Sequence, residues 1–132
     1  MLSQKVIKTS LAEYKPGVFT GNNESGWEPI GDKVMVLTDQ VPDNSSGGII
    51  YTDEHKEHMS LAAETGILVA VGEGAWKWNS DRTRPFEGRR PQPGDFVYIQ
   101  RYAGAAVMGN DQQLYRLMDE SCVAAMKYDH KE

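Results

Sequence analysis

Apolar residues in this chain come in short runs, each closed off by glycine, proline or a polar cluster, and no stretch sustains a helical period. That pattern constrains the fold most, because strands alternate with period two whereas a core-facing helix needs apolar positions three and four apart. Residues 33–37 (Lys-Val-Met-Val-Leu) read as a strand introduced by Pro29 and the turn Gly31-Asp32. Residues 65–72 read as a buried strand between glycines, and 96–99 as another after the Pro93-Gly94-Asp95 turn. Residues 105–108 and 113–117 flank Gly109-Asn110-Asp111 and read as a hairpin. A last strand runs over 122–127. Many short strands with glycine punctuation predict an all-β barrel or sandwich.

At 132 residues the chain fits one compact domain. Nineteen acidic side chains against 14 basic ones leave a net charge of −5, which argues against general nucleic-acid or anionic-membrane binding. No run approaches the ~18 apolar residues of a membrane span. The first residues lack an apolar core of the secretory type, so no export signal is expected. The single cysteine, Cys122, excludes a disulfide framework within the chain and a multi-cysteine zinc site, and points to a reducing, cytoplasmic setting. His55 and His58 have an H-x-x-H spacing but no companion ligand nearby, so no metal is expected. Gly72-Glu73-Gly74 lacks the third glycine and the helix of a phosphate loop. Cys122 sits in an apolar strand without a histidine partner and reads as a small hydrophobe. No nucleophile, acid–base pair or cofactor motif emerges, and the chain is not expected to be an enzyme.

Residues 1–26 read as an N-terminal extension, partly disordered or with one short element, because Pro16 stops any helix early. Residues 27–128 form the folded domain, with a tail over 129–132. Within the domain, 38–62 is a polar loop of roughly 25 residues interrupted by the apolar triplet Ile49-Ile50-Tyr51. A loop of that length is uncommon in a compact domain unless it is functional or disordered. Large aliphatic side chains in such a loop mark a docking point, or else the triplet is an edge strand of the barrel. Gly47-Gly48 supplies a bend just ahead of it. The strands at the two ends of the domain, with Val34 and Val36 in one and Val123 and Ala125 in the other, are expected to be edges. Edges need covering, and pairing with a neighbouring copy predicts a head-to-tail homo-oligomeric ring.

Six segments, in order, resemble GroES-type co-chaperonins, the small lid partners of GroEL-type chaperonins. They are Trp27-Glu28-Pro29-Ile30-Gly31-Asp32-Lys33-Val34-Met35-Val36, Ser46-Gly47-Gly48-Ile49-Ile50-Tyr51, Gly66-Ile67-Leu68-Val69-Ala70-Val71-Gly72-Glu73-Gly74, Pro93-Gly94-Asp95-Phe96-Val97, Arg101-Tyr102-Ala103-Gly104, and the closing stretch from Leu114 to Ala125. The resemblance implies a small irregular β-barrel with a mobile loop over 38–62 and a roof hairpin within 73–93. It implies a seven-fold ring joined through Val34, Val36, Val123 and Ala125. It further implies docking of Ile49, Ile50 and Tyr51 on an ATP-bound GroEL-type chaperonin, with Gly47 and Gly48 as the loop hinge, closing a chamber around a client polypeptide. ATP would be bound by the chaperonin and no cofactor by this chain. Trp76, Trp78 and Tyr102 would line the roof or cavity.

The chain departs from the family pattern in its extension, in Tyr51 at an aliphatic position, and in longer segments after the triplet and over 72–94. From 79 to 91 four arginines face Asp81 and Glu87, a local charge of +2 on an acidic chain. That region is either a modified chamber ceiling or a solvated hairpin whose arginines stack on its own aromatics. Such departures suit a viral or otherwise specialised co-chaperonin. The competing expectation is a stand-alone oligomeric barrel that binds single-stranded nucleic acid or peptide through Trp76, Trp78 and the arginines.

Overall fold

A computed structural model describes residues 17–40, 50, 52–78 and 83–127. The elements are β1 (Lys33–Leu37), α1 (Asp53–Leu61), β2 (Thr65–Val71), β3 (Phe96–Ile99), β4 (Ala105–Met108), β5 (Leu114–Asp119) and β6 (Val123–Met126), with a 3-10 turn at Glu120–Cys122 before β6. The strands form one antiparallel sheet in the order β4-β5-β1-β2-β3-β6. The fold is therefore all-β, as the strand pattern predicts, and of the small irregular kind that the co-chaperonin resemblance implies, with one helix added.

Two bulges curl the sheet. Between β1 and β2, Met35 pairs with Ala70 but Val36 pairs with Leu68, so Val69 is an extra residue on β2. Between β3 and β6, Tyr98 pairs with Ala125 and Ile99 with Val123, leaving Ala124 extra on β6. Each extra residue bends its strand and increases the local twist. Gly104, at φ +72, turns the chain into β4 where a Cβ would collide with the Leu117 carbonyl, so only glycine fits.

The core has two layers because β1 is buried on both faces. Val34 and Val36 point into a cluster with Leu68, Trp76, Val97, Ile99 and Met118. Met35 and Leu37 point the other way, into a cluster with Val69 and Tyr115. An antiparallel sheet this small ordinarily leaves one face wet. Here residues 17–26, which carry no strand or helix, cover it. Phe19 packs on the second cluster and Ser25 is fully buried. The backbone of Val18 is held at both ends by the Gln113 amide, at 2.8 and 3.0 Å. Asn110 N–H donates to the Ser25 carbonyl at 2.8 Å, and Trp27 Nε1 donates to the Met108 carbonyl at 3.0 Å.

The helix is a departure from expectation, because it occupies residues 53–61 of the stretch 38–62 that the sequence presents as a polar loop. Thr52 caps it, accepting from His55 N–H at 3.1 Å, and Asp53 and Glu54 place negative charge in the first turn. Its composition hid it, because the segment has no apolar stripe.

Candidate functional site

Two places bear on function: the base of the long loop and an aromatic cavity. The loop returns to the barrel through α1, whose C-terminal end is fixed by three consecutive carbonyls. Tyr102 N–H donates to Leu61 O at 2.6 Å, Arg101 Nε to Ala62 O at 3.2 Å, and Arg116 Nη1 to Ala63 O at 2.9 Å. The Leu61 and Ala62 carbonyls are among the orphan acceptors a helix leaves at its C-terminus, Ala63 follows directly on the cap, and two of the three donors are cationic, as the helix dipole favours. The Tyr102 ring lies 6.0 Å from the His58 ring, and the Arg101 guanidinium sits 5.4 Å from the Tyr102 centroid.

Arg116 is fully buried in β5 and spends its remaining donors on Gln100 O at 2.9 Å and Ala103 O at 2.9 Å. Burial pushes its pKa below the usual guanidinium value, and the carbonyls compensate the charge with their dipoles. It thus ties the end of the loop, the 100–103 turn and the sheet into one unit.

The second place is a cavity of about 540 Å³ whose walls include Trp76, Trp78, Phe86, Arg84, Glu120 and Val123. Trp76 is buried, with its backbone N–H donated to Glu120 Oε1; Trp78 is half exposed, in a bridge with Pro85. Asp119 at the cavity wall holds Ser121 through side-chain and backbone hydrogen bonds, which lower its pKa, and it also meets Lys33 Nζ at 3.2 Å. Lys33 is raised by its hydrogen bonds to Asp119 and Asp32.

Of the residues singled out from sequence, Ile50 carries one isolated β-bridge and is 75% exposed. Gly47, Gly48, Ile49 and Tyr51 lie outside the described residues. Val34 and Val36 require correction: β1 is central, hydrogen-bonded to β2 and β5 of its own chain, and both side chains are completely buried. The sheet edges are β4 and β6, so only Val123 and Ala125 of that set lie on an edge strand. Trp76 and Trp78 share the cavity, whereas Tyr102 stands apart from it at the base of α1. Arg116 was missed as a separate feature; its signal was one charged residue within Leu114-Tyr115-Arg116-Leu117-Met118. Among the described residues no group of three or more His, Cys, Asp or Glu is poised to hold a metal, and no helix is long and apolar enough to cross a membrane.

A curled six-stranded sheet with an exposed Ile50 in its long loop, ending among the described residues in β4 and β6, has the architecture of a small co-chaperonin subunit. The Cpn10 family, described as "Chaperonin 10 Kd subunit", matches residues 27–127, and the chain belongs to it. Co-chaperonin GroES of Staphylococcus epidermidis is 27% identical over 100 residues, covering 76% of this chain and 98% of the relative. Co-chaperonin GroES of Staphylococcus aureus is 30% identical over 99 residues, covering 75% and 96%. The chain is a divergent GroES-type co-chaperonin, and residues 1–26 lie ahead of the matched region.

Proposed function

We propose that this co-chaperonin caps a GroEL-type chaperonin in an ATP-dependent cycle and closes the chamber in which a client polypeptide folds. ATP belongs to the chaperonin in this reading, the chain itself performs no chemistry and needs no cofactor, and the cycle runs in the cytoplasm. Ile49, Ile50 and Tyr51 are the docking anchors and Gly47-Gly48 the hinge. The observation that carries the proposal is Ile50, a large aliphatic residue left 75% exposed in the loop of a family member.

The energetics favour a multivalent lid. Burying one large aliphatic side chain contributes roughly 1.5–3 kcal/mol. Ordering a loop on binding offsets of the order of 2–5 kcal/mol. A single subunit therefore binds weakly, and a ring gains avidity because later contacts are effectively intramolecular. A heptameric ring is proposed, with the β6 edge (Val123, Ala125) meeting the segment that leads into β1 of the next copy. Ile30 in that segment is 83% exposed, which supports this choice over Val34 and Val36.

The test is to mix the purified protein with a GroEL-type chaperonin and ATP and image the product by electron microscopy. Caps on chaperonin ends, dependent on ATP, are expected. Uncapped chaperonin at saturating protein would overturn the reading.

A further inference from the structure

The cavity beside Trp76 and Trp78 has no part in the docking of Ile50, yet its walls are set for a ligand. Its volume of about 540 Å³ lies within the range of ligand pockets. Trp76, Trp78 and Phe86 supply the aromatic wall. Trp76 is only 7% exposed, and among the described residues its indole N–H finds no acceptor, although a buried indole ordinarily has one. That N–H is not sealed in: Ser60 Oγ is the one enclosed side-chain N or O without a partner among the described residues, so the Trp76 N–H opens onto accessible space. The half-exposed Trp78 also keeps its indole N–H unspent, whereas Trp27 gives its own to Met108 O at 3.0 Å. The polar wall is mostly carboxylate. Glu120 Oε1 accepts the Trp76 backbone N–H, which fixes Trp76 at φ +56, and the second Glu120 oxygen makes no bond among the described residues. Glu87 is exposed and equally unspent. Asp119 is committed to Lys33 and Ser121, and Arg84, the cation of the wall, pairs with neither Glu87 nor Glu120.

We propose that this cavity binds a lysine or arginine side chain of an extended polypeptide. The cation lies against the faces of the Trp76, Trp78 and Phe86 rings, which attract positive charge, with Glu87 and Glu120 as its counter-charges. Peptide carbonyls beside that side chain accept from the two indole N–H groups. Each part of the wall argues for this occupant over another. A wholly apolar segment leaves two carboxylates without partners as it displaces their water. A small polyamine satisfies the carboxylates but offers the indoles no acceptor. A nucleic-acid strand can stack on the aromatics, but its phosphates meet Glu87 and Glu120. In a co-chaperonin the polypeptide is a client in the chamber; that source rests on the capping reading above, whereas the binding chemistry does not.

The test titrates the full-length protein, without chaperonin, with acetyl-Ala-Ala-Arg-Ala-Ala-amide, with the same peptide carrying neutral citrulline in place of arginine, and with spermidine. The readout is the indole N–H resonances of the three tryptophans. The arginine peptide should shift Trp76 and Trp78 saturably and leave Trp27 in place, and the citrulline peptide should bind about tenfold more weakly. Glu87→Gln and Glu120→Gln should each reduce the arginine peptide toward the citrulline affinity; Gln at 120 still offers an acceptor to the Trp76 backbone N–H, and both variants should melt as the wild type does. Trp78→Phe keeps a ring face but loses the donor, and should bind more weakly than the wild type and more tightly than Trp78→Ala. Equal affinity for the citrulline peptide would overturn the cation site, and spermidine binding as tightly as the peptide would overturn the polypeptide occupant. Absence of saturable Trp76 and Trp78 shifts at millimolar peptide would overturn the cavity as a site, and so would a peptide that changes the size of the protein in light scattering, because the cavity would then lie between subunits. None of these outcomes bears on capping, which fails or stands by the chaperonin imaging alone.

Discussion

The Tyr115 hydroxyl donates to Asp111 Oδ2 at 2.5 Å, across the turn that joins β4 to β5. Burial disfavours the Asp111 charge, but hydrogen bonds from Tyr115 and Gln113 outweigh it and hold the carboxyl below its ordinary range. Tyr115 moves the opposite way: burial first, then the Asp111 carboxylate, push its hydroxyl well above the usual value. The depressed Asp111 contributes stability above the unfolded carboxylate pKa of about 3.9, lost as pH falls through the folded value. The raised Tyr115 contributes stability below about pH 10, lost as pH rises beyond it. Tyr115→Phe should cost about 0.5–1.5 kcal/mol near neutrality and flatten both limbs of a stability-versus-pH curve measured by urea unfolding. Unchanged limbs would show that the pair is not coupled to folding.

Arg116 should be far more sensitive than a surface arginine. Arg116→Met leaves the carbonyls of Ala63, Gln100 and Ala103 short of donors in a buried site, at about 1–3 kcal/mol for an unsatisfied group. Arg116→Lys should rescue little, because an ammonium cannot span acceptors set for a planar fork. Denaturant unfolding of the two variants checks this; a lysine variant as stable as the wild type would contradict it.

Phe19 tests whether residues 17–26 belong to the folded unit. Phe19→Ala should destabilise by about 2 kcal/mol, less than a fully buried aromatic, by uncovering Met35, Leu37, Val69 and Tyr115. Deleting residues 1–26 should expose that face and raise binding of a hydrophobic dye. Wild-type melting and dye binding in both would mean the segment is an ornament.

The strands were legible because alternation and glycine punctuation are local. The turn at Gly109-Asn110-Asp111 set the β4–β5 register, and Met108 does pair with Leu114. What was hidden is non-local. Val34 and Val36 lie early in the domain, but sequence order does not say that β5 closes on one side of β1 and β2 on the other. The helix α1 is not legible in the sequence because its tertiary contacts, among them those to Tyr102, Arg101 and Arg116, reach 39 to 53 residues along the chain, and it has no apolar stripe of its own. The Ile49-Ile50-Tyr51 triplet was conspicuous for the opposite reason: three apolar residues among polar ones need no tertiary knowledge to be noticed.

Ile50→Asp should abolish ATP-dependent association with a GroEL-type chaperonin. The side chain is exposed, so the substitution leaves the fold and ring untouched, while docking would place a carboxylate in an apolar contact at a cost of several kcal/mol. Unchanged binding would remove Ile50 from the anchors.

Assembly gives the remaining prediction. Ala125 lies on β6, an edge strand that pairs with β3 on one side and with no other strand among the described residues on the other. A free edge of this kind is an aggregation hazard unless something occupies it. Closed head-to-tail pairing occupies it in every copy and limits growth, which open pairing does not. Light scattering should therefore find a ring-sized species at micromolar concentration. Ala125→Arg, on an exposed position, should shift the population toward monomer while the far-ultraviolet spectrum stays that of the folded barrel. A monomeric wild-type protein would leave the β6 edge to some other cover and remove the avidity on which weak, reversible capping depends.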